Sequence, residues 1–383
     1  MNCKGIYLFG IVLNLITIPS IAQQDAIGRL PEWAFGGFKR PEKVNPVISP
    51  DSNTRFKDPI IGKQVDWESN DTFNPGAVVK DGKVYVLYRA EDKSGIGIGF
   101  RTSRLGLAES TDGIAFTRRP SPVLYPGKDD QQKYEWPGGV EDPRVAVTED
   151  GTYVVFYTQW NRELPRLGVA TSRDLVNWTK HGPIFETAHG GKFNKIVHKS
   201  ASIITRLQDD KQVVAKINGK YWLYWGELGV FAATSTNLVD WEPVLGADGE
   251  PLALISPRKG YFDSDLTECG PPAIITKDGI LLLYNGKNNP TQGDPRFTPN
   301  SYCGGQVLFD ANDPLKPIGR LDLPFFRPME PFEKSGQYVQ GTVFMEGLVY
   351  FKKMWFLYYG CADSEVAVAI YDPAKPALPD PID

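Results

Sequence analysis

Ala170-Thr171-Ser172-Arg173-Asp174-Leu175-Val176-Asn177-Trp178 and Ala233-Thr234-Ser235-Thr236-Asn237-Leu238-Val239-Asp240-Trp241 are two copies of one phrase, and Ala108-Glu109-Ser110-Thr111-Asp112 through Phe116 is a weaker third. Successive copies are offset by 62 and 63 residues. In each, an apolar strand runs into a Ser-x-Asp or Ser-x-Asn turn with an aromatic anchor four residues later. Short hydroxyl and carboxyl side chains can hold the backbone of such a turn, so the phrase reads as a hairpin.

Self-similarity at a regular period marks a repeat architecture, and a second signature extends it along the chain. An apolar pair followed by Tyr recurs as Val86-Leu87-Tyr88, Val155-Phe156-Tyr157, Trp222-Leu223-Tyr224, Leu282-Leu283-Tyr284 and Phe356-Leu357-Tyr358, with Tyr-to-Tyr spacings of 69, 67, 60 and 74 residues. Four copies follow a tight-turn pair, Asp81-Gly82, Asp150-Gly151, Asn218-Gly219 or Asp278-Gly279, the strongest short hairpin signal. Lys352-Lys353 takes that place in the fifth. A third element closes the early units: Pro122-Val123-Leu124, Pro183-Ile184-Phe185 and Pro243-Val244-Leu245. The fifth unit lacks it, and an orphan copy, Pro46-Val47-Ile48, precedes the first. These patterns predict an all-β chain, a five-bladed β-propeller with about four strands per blade, in which the N-terminal segment pairs with the last blade and closes the ring.

Composition agrees with a globular protein: 383 residues, 41% hydrophobic and 23% charged, with 38 Gly and 31 Pro to supply turns. The net charge of -4 and pI near 5.6, without a block of Lys or Arg, argue against nucleic acid and anionic membrane surfaces as partners. Lys4, the apolar run Ile6–Ile18 and Ser20-Ile21-Ala22 read as a secretory signal over residues 1–22. The expected organisation is that signal, then a single catalytic propeller over 23–383 with an N-terminal arm over 23–68, exported to the periplasm and not inserted in a membrane. Cys269, Cys303 and Cys361 are odd in number and widely spaced, and His181, His189 and His198 form no metal-type motif. No metal and no cofactor are expected.

In a propeller the inner strands surround one channel, so polar residues at matching strand ends converge. The repeat places Asn74, Glu141-Asp142-Pro143-Arg144, His198-Lys199-Ser200 and Thr267-Glu268-Cys269 before the hairpin turns. After the Tyr signatures lie Arg89 and Glu91, Gln159 and Trp160, Trp225 and Glu227, Asn285 and Lys287, and Cys361 with Asp363. Carboxylates, amides, cations and Trp in one ring suit a neutral, hydroxyl-rich ligand.

Gly139-Val140-Glu141-Asp142-Pro143-Arg144, with Asn74-Pro75-Gly76, Tyr88-Arg89-Ala90, Ser103-Arg104-Leu105-Gly106 and Tyr359-Gly360-Cys361-Ala362-Asp363, resembles glycoside hydrolase family 130 from about Arg40 to Asp372. That resemblance implies a five-bladed propeller acting on β-mannosides by phosphorolysis or hydrolysis. It implies Asp142 as proton donor, working through a hydroxyl of the bound mannose, and Asn74, Arg89, Arg104 and Asp363 as residues that hold the sugar; Lys199 matches less securely. Glu91, Arg144 and Asn285 join the substrate-binding candidates. Pro143 is expected to favour extended backbone at Asp142, and Glu141 to raise its pKa while Arg144 opposes that. Glu227 and Glu268 stand where a phosphorylase would gather cations around phosphate, and one of them would serve as general base for water. The expected activity is an inverting β-mannosidase on mannose-containing oligosaccharides, with β-1,2 linkages favoured by the resemblance. The alternatives are a β-mannoside phosphorylase, which would depend on phosphate, and a non-catalytic glycan-binding propeller, which would bind without turnover.

Overall fold

The computed structural model describes residues 30–376, so the segment expected to be a signal, residues 1–22, lies outside the described residues. The described chain is all-β, with one four-residue α-helix, Gln132–Glu135, and three short 3-10 turns. Its strands follow the repeat. Unit one comprises Asp71–Lys80, Lys83–Glu91, Ser103–Ser110 and Thr117–Arg118, each antiparallel to the next. Unit two comprises Gly139–Val147, Tyr153–Trp160, Arg166–Ser172 and Thr179–Pro183. Unit three comprises Ala201–Gln208, Lys220–Trp225, Phe231–Ser235 and Glu242–Pro243. In unit four the inner strand is broken into Leu266–Cys269 and Ala273–Ile275, followed by Ile280–Lys287, Tyr302–Phe309 and Pro317–Arg320. Unit five has three strands, Val343–Phe351, Met354–Cys361 and Glu365–Tyr371.

The orphan segment supplies what unit five lacks. Val47 N–H donates to the Val366 carbonyl (2.8 Å), Val366 N–H returns a bond to Ile48 (2.9 Å), and Lys39 and Ile370 exchange a further pair at 2.8 Å. The Pro-apolar-apolar element makes the same bond elsewhere: Val123 N–H to the Leu105 carbonyl (2.8 Å), Ile184 to Leu167 (2.9 Å) and Val244 to Ala232 (2.9 Å). Unit four has its own copy, Pro324-Phe325-Phe326, with Phe325 bonded to Gly304 at 3.0 Å. Sequence reading missed it because two aromatic residues replace the aliphatic pair.

The turns form as their chemistry dictates. Ser172 Oγ accepts from Leu175 N–H (2.9 Å) and Asp174 Oδ1 from Val176 N–H (2.8 Å); Ser235 with Asn237 and Ser110 with Asp112 repeat the pattern. The Trp178 and Trp241 indoles then donate to the carbonyls of Leu175 (3.1 Å) and Leu238 (3.0 Å). All five signature tyrosines are fully buried, and each hydroxyl donates to a fixed acceptor, Glu68, Glu135, Pro314, Asp263 or Gly113.

Five buried apolar groups hold the units together. Leu87 and Leu105 pack with Val155 and Tyr157 between units one and two, Phe156 with Leu223 between two and three, Tyr224 with Leu282 between three and four, and Leu283 with Leu357 between four and five. In the last group, Phe356 and Tyr358 of unit five pack with Val86 and Tyr88 of unit one. First strands of neighbouring units also contact one another, Val343–Phe351 with Asp71–Lys80 and Asp71–Lys80 with Gly139–Val147.

Candidate active site

Bulges at the starts of inner strands turn polar residues out of the ladder. The register slips between Phe73 and Pro75, between Glu141 and Arg144, and between Met345 and Gly347, which frees Asn74, Asp142 and Glu346. Asn74 and Asp142 have φ of 48° and 51°. The extended backbone expected at Asp142 is thus corrected: the bulge imposes a left-handed conformation that proline at 143 does not prevent, and such strain is held only where surrounding contacts determine it. Gly76 allows the close approach behind it, since a Cβ there would sit 2.4 Å from the Pro143 carbonyl oxygen.

Asp142 is buried with three partners. Asn74 Nδ2 donates to Oδ1 at 2.8 Å, Arg89 Nη1 to the same oxygen at 3.1 Å, and Lys199 Nζ lies 3.7 Å from Oδ2. Arg89 is itself fixed by Glu91 (2.6 Å), Glu141 (2.9 Å) and Ser103 (3.1 Å), with its guanidinium over the Phe73 ring. Lys199 continues the network to Glu268 (3.5 Å) and Glu227 (3.7 Å). Asp142 and either glutamate therefore share one ammonium, so their facing oxygens are no further apart than two ion-pair lengths. That upper limit admits both the roughly 5–5.5 Å spacing of retaining carboxyl pairs and the lower part of the roughly 6.5–9.5 Å range of inverting ones. Ser200 donates to Glu268, and Glu227 is the more exposed of the two.

Protons divide unevenly among these acids. Burial raises Glu141 and Asp363 to about 7, outweighing the nearby Arg89 charge, and burial also raises Glu268 against the pull of Lys199. Burial would raise Asp142 too, but Arg89, Lys199, Arg144 and the Asn74 amide together hold it below the usual carboxylate range. The expectation that Glu141 keeps Asp142 protonated is corrected accordingly: three cations face Asp142, and Glu141 takes the upward shift.

Asn74, Arg89, Glu91, Asp142, Arg144, Lys199, Glu227, Glu268 and Asp363 belong to this one cluster. Asp363 has φ of 50°, and Gln337 Nε2 bonds its carbonyl at 2.8 Å. Two candidates have side chains engaged in other bonds, although Asn285 lies opposite Glu268 in the ladder. Arg104 pairs with Asp58 (2.6 Å) and Asp92 (2.8 Å), and Asn285 bonds both the carbonyl (3.1 Å) and the N–H (2.8 Å) of Met345, which ties unit four to unit five. Sequence reading passed over Glu346, whose Oε1 stands 2.9 Å from Arg144 Nη1. Its position in the fifth repeat, before the Lys352-Lys353 turn as Asp142 stands before Asp150-Gly151, was the signal that could have found it. Among the described residues, no group of three or more His, Cys, Asp or Glu is arranged to hold a metal ion.

A buried, left-handed carboxylate, two further carboxylates across one lysine, and donors on every side make a site for acid–base chemistry on a polyhydroxylated ligand. The sequence profile of glycoside hydrolase family 130, described as beta-1,4-mannooligosaccharide phosphorylase, matches residues 39–375. The chain belongs to this family of enzymes acting on β-mannosides. A glycosyl hydrolase structure from Bacteroides ovatus superposes with a TM-score of 0.92 at 63% identity, covering 93% of this chain and 99% of that one. A second structure matches with the same score, identity and coverage; it accompanies the statement that this family of mannoside phosphorylases contains glycoside hydrolases targeting β-1,2 mannosidic linkages in Candida mannan. The 1,2-beta-oligomannan phosphorylase of Thermoanaerobacter sp. (strain X514) is 32% identical over 80% of this chain and 92% of its own.

Proposed function

We propose that this protein is an exported, inverting β-mannosidase that hydrolyses β-1,2-linked mannose oligosaccharides on a five-bladed propeller, with Glu227 or Glu268 as base and with Asp142 as acid, which must first take up a proton in the substrate complex because its cations keep it ionised in the free protein. The observation that carries this reading is the surround of Lys199. A phosphorylase must concentrate positive charge where phosphate attacks, yet this ammonium is matched by Asp142, Glu227 and Glu268, all within 3.7 Å. Phosphate entering beside the two glutamates would meet repulsion, whereas water would find an acceptor for its proton. The 63% identity to the structure linked with β-1,2-specific hydrolases supports the same reaction and linkage. Ring closure is supported by the apolar group shared between units five and one and by the Val47–Val366 pairing. Export rests on the N-terminal sequence pattern.

Phosphorolysis is the second reading, favoured by the name of the 32% identical relative. Glu227→Gln and Glu268→Gln separate the two. The general base should lose roughly 10²-fold or more in kcat, and its partner less. Full turnover by both variants, with phosphate required, would favour phosphorolysis.

A further inference from the structure

Glu346 occupies the bulge of the inner strand of unit five, is fully buried, and accepts no hydrogen bond at either carboxyl oxygen. A carboxylate 2.9 Å from a guanidinium ordinarily takes two N–H bonds in a fork. Arg144 instead directs Nη1 to the carbonyl of Asp142 (3.0 Å) and Nη2 to the carbonyl of Cys269 (2.9 Å). One guanidinium thereby links the strand end carrying Asp142 to the residue after Glu268, the two ends between which the sugar must be held. The charged groups facing Glu346 are Arg144 and Asp142 from unit two, Glu268 from unit four, and Lys199 from the segment leading into unit three. Burial pushes the Glu346 carboxyl well above the ordinary range, more than the two cations lower it.

We propose that Glu346 is a positioning residue that acts as an uncharged acid: it stands against Arg144 without taking the N–H groups that bond the Asp142 and Cys269 carbonyls, so that Arg144 keeps the strand ends of Asp142 and Glu268 in register. An ionised Glu346 would compete for the N–H groups that now bond the two carbonyls, and would add a negative charge beside Asp142 and Glu268. Glutamine has the same shape and no charge, so it can do this work. Alanine leaves Arg144 free to swing. This inference rests on the assignment of Asp142 and Glu268 to catalysis and holds for water or phosphate as nucleophile.

The test compares Glu346→Gln and Glu346→Ala with the wild type on β-1,2-mannobiose, with and without phosphate, together with infrared spectra at neutral pH. Glu346→Gln should keep kcat within about threefold, while Glu346→Ala should lose about tenfold or more in kcat with KM within about threefold, because misplacement acts on the reacting geometry. Glu346→Gln should lose one protonated carboxylic-acid carbonyl band of the wild type while keeping those of the other raised acids, Glu141 and Asp363. A Gln variant as impaired as the Ala variant, a Gln variant that does not fold, or identical carboxylic-acid bands in wild type and Gln variant would overturn the proposal. Each comparison is a ratio to wild type under one condition, so a phosphate requirement would remove the hydrolase reading without touching this result.

Discussion

In the free protein Asp142 keeps its negative charge because three cations and an amide face it, while Glu141 and Asp363 hold protons, so its role as acid requires a proton taken up in the substrate complex. Asp142→Asn should retain the fold and depress turnover by about 10²- to 10⁴-fold, measured as kcat against thermal melts of both proteins. Gly360 protects the same carboxylate indirectly: a Cβ there would lie 2.4 Å from Asn74 Oδ1 and 2.9 Å from its backbone N, so Gly360→Ala should displace Asn74, lowering both kcat and the melting temperature. The raised acids make stability pH-dependent. Glu141 and Asp363 bind protons more tightly folded than unfolded, so their stabilisation is complete at low pH and is lost as pH rises from about 4.5 through about 7. Melts at pH 5 and pH 7.5 should show the lower Tm at pH 7.5, and Asp363→Asn should narrow the gap. These acids were legible as strand-end polar residues, but their protonation was not. Sequence adjacency pointed to Glu141 as the partner of Asp142, whereas cations from other segments, Arg89 and Lys199, decide its charge.

At the scale of the hairpin, periodicity carried the reading because each turn is built from its own residues. Ser172 and Asp174 bond backbone groups within three positions, so their spacing alone forecasts the geometry. The fifth inner turn shows the limit of such local rules. Lys352 and Lys353 have φ of 50° and 67°, matching Asp81-Gly82 and Asn218-Gly219, although lysine gains nothing from a left-handed backbone. Contacts beyond the hairpin, Lys352 Nζ to the Thr111 carbonyl (2.9 Å) and Lys353 to Asp210, hold it there. Replacing the pair with Asn-Gly should stabilise the protein by about 1 kcal/mol, since relief of backbone strain exceeds the loss of exposed contacts. Chemical denaturation measures it, and an equal or lower midpoint would mean those contacts outweigh the strain.

Across the whole molecule the N-terminal segment is structural. Beyond its ladder bonds, Arg40 pairs with Glu333 at 2.6 Å and lies 4.3 Å above the Phe326 ring, while Phe38 is buried against units four and five and Ile48 against units five and one. A chain beginning at residue 51 should melt well below the full-length protein; an unchanged melt would show that unit five is complete without it. The orphan motif made this pairing readable, whereas the bonds of Asn285 to Met345 and of Arg104 to Asp58 and Asp92 depend on how units meet, which no repeat encodes. What the assembled site delivers to the anomeric carbon is read by following β-1,2-mannobiose in phosphate-free buffer by proton NMR. Mannose should be released at a rate unchanged by added phosphate, with the α-anomer appearing first, as inversion at a β-linkage requires. Mannose 1-phosphate that grows with phosphate, with no free mannose in its absence, would contradict hydrolysis at Glu227 and Glu268.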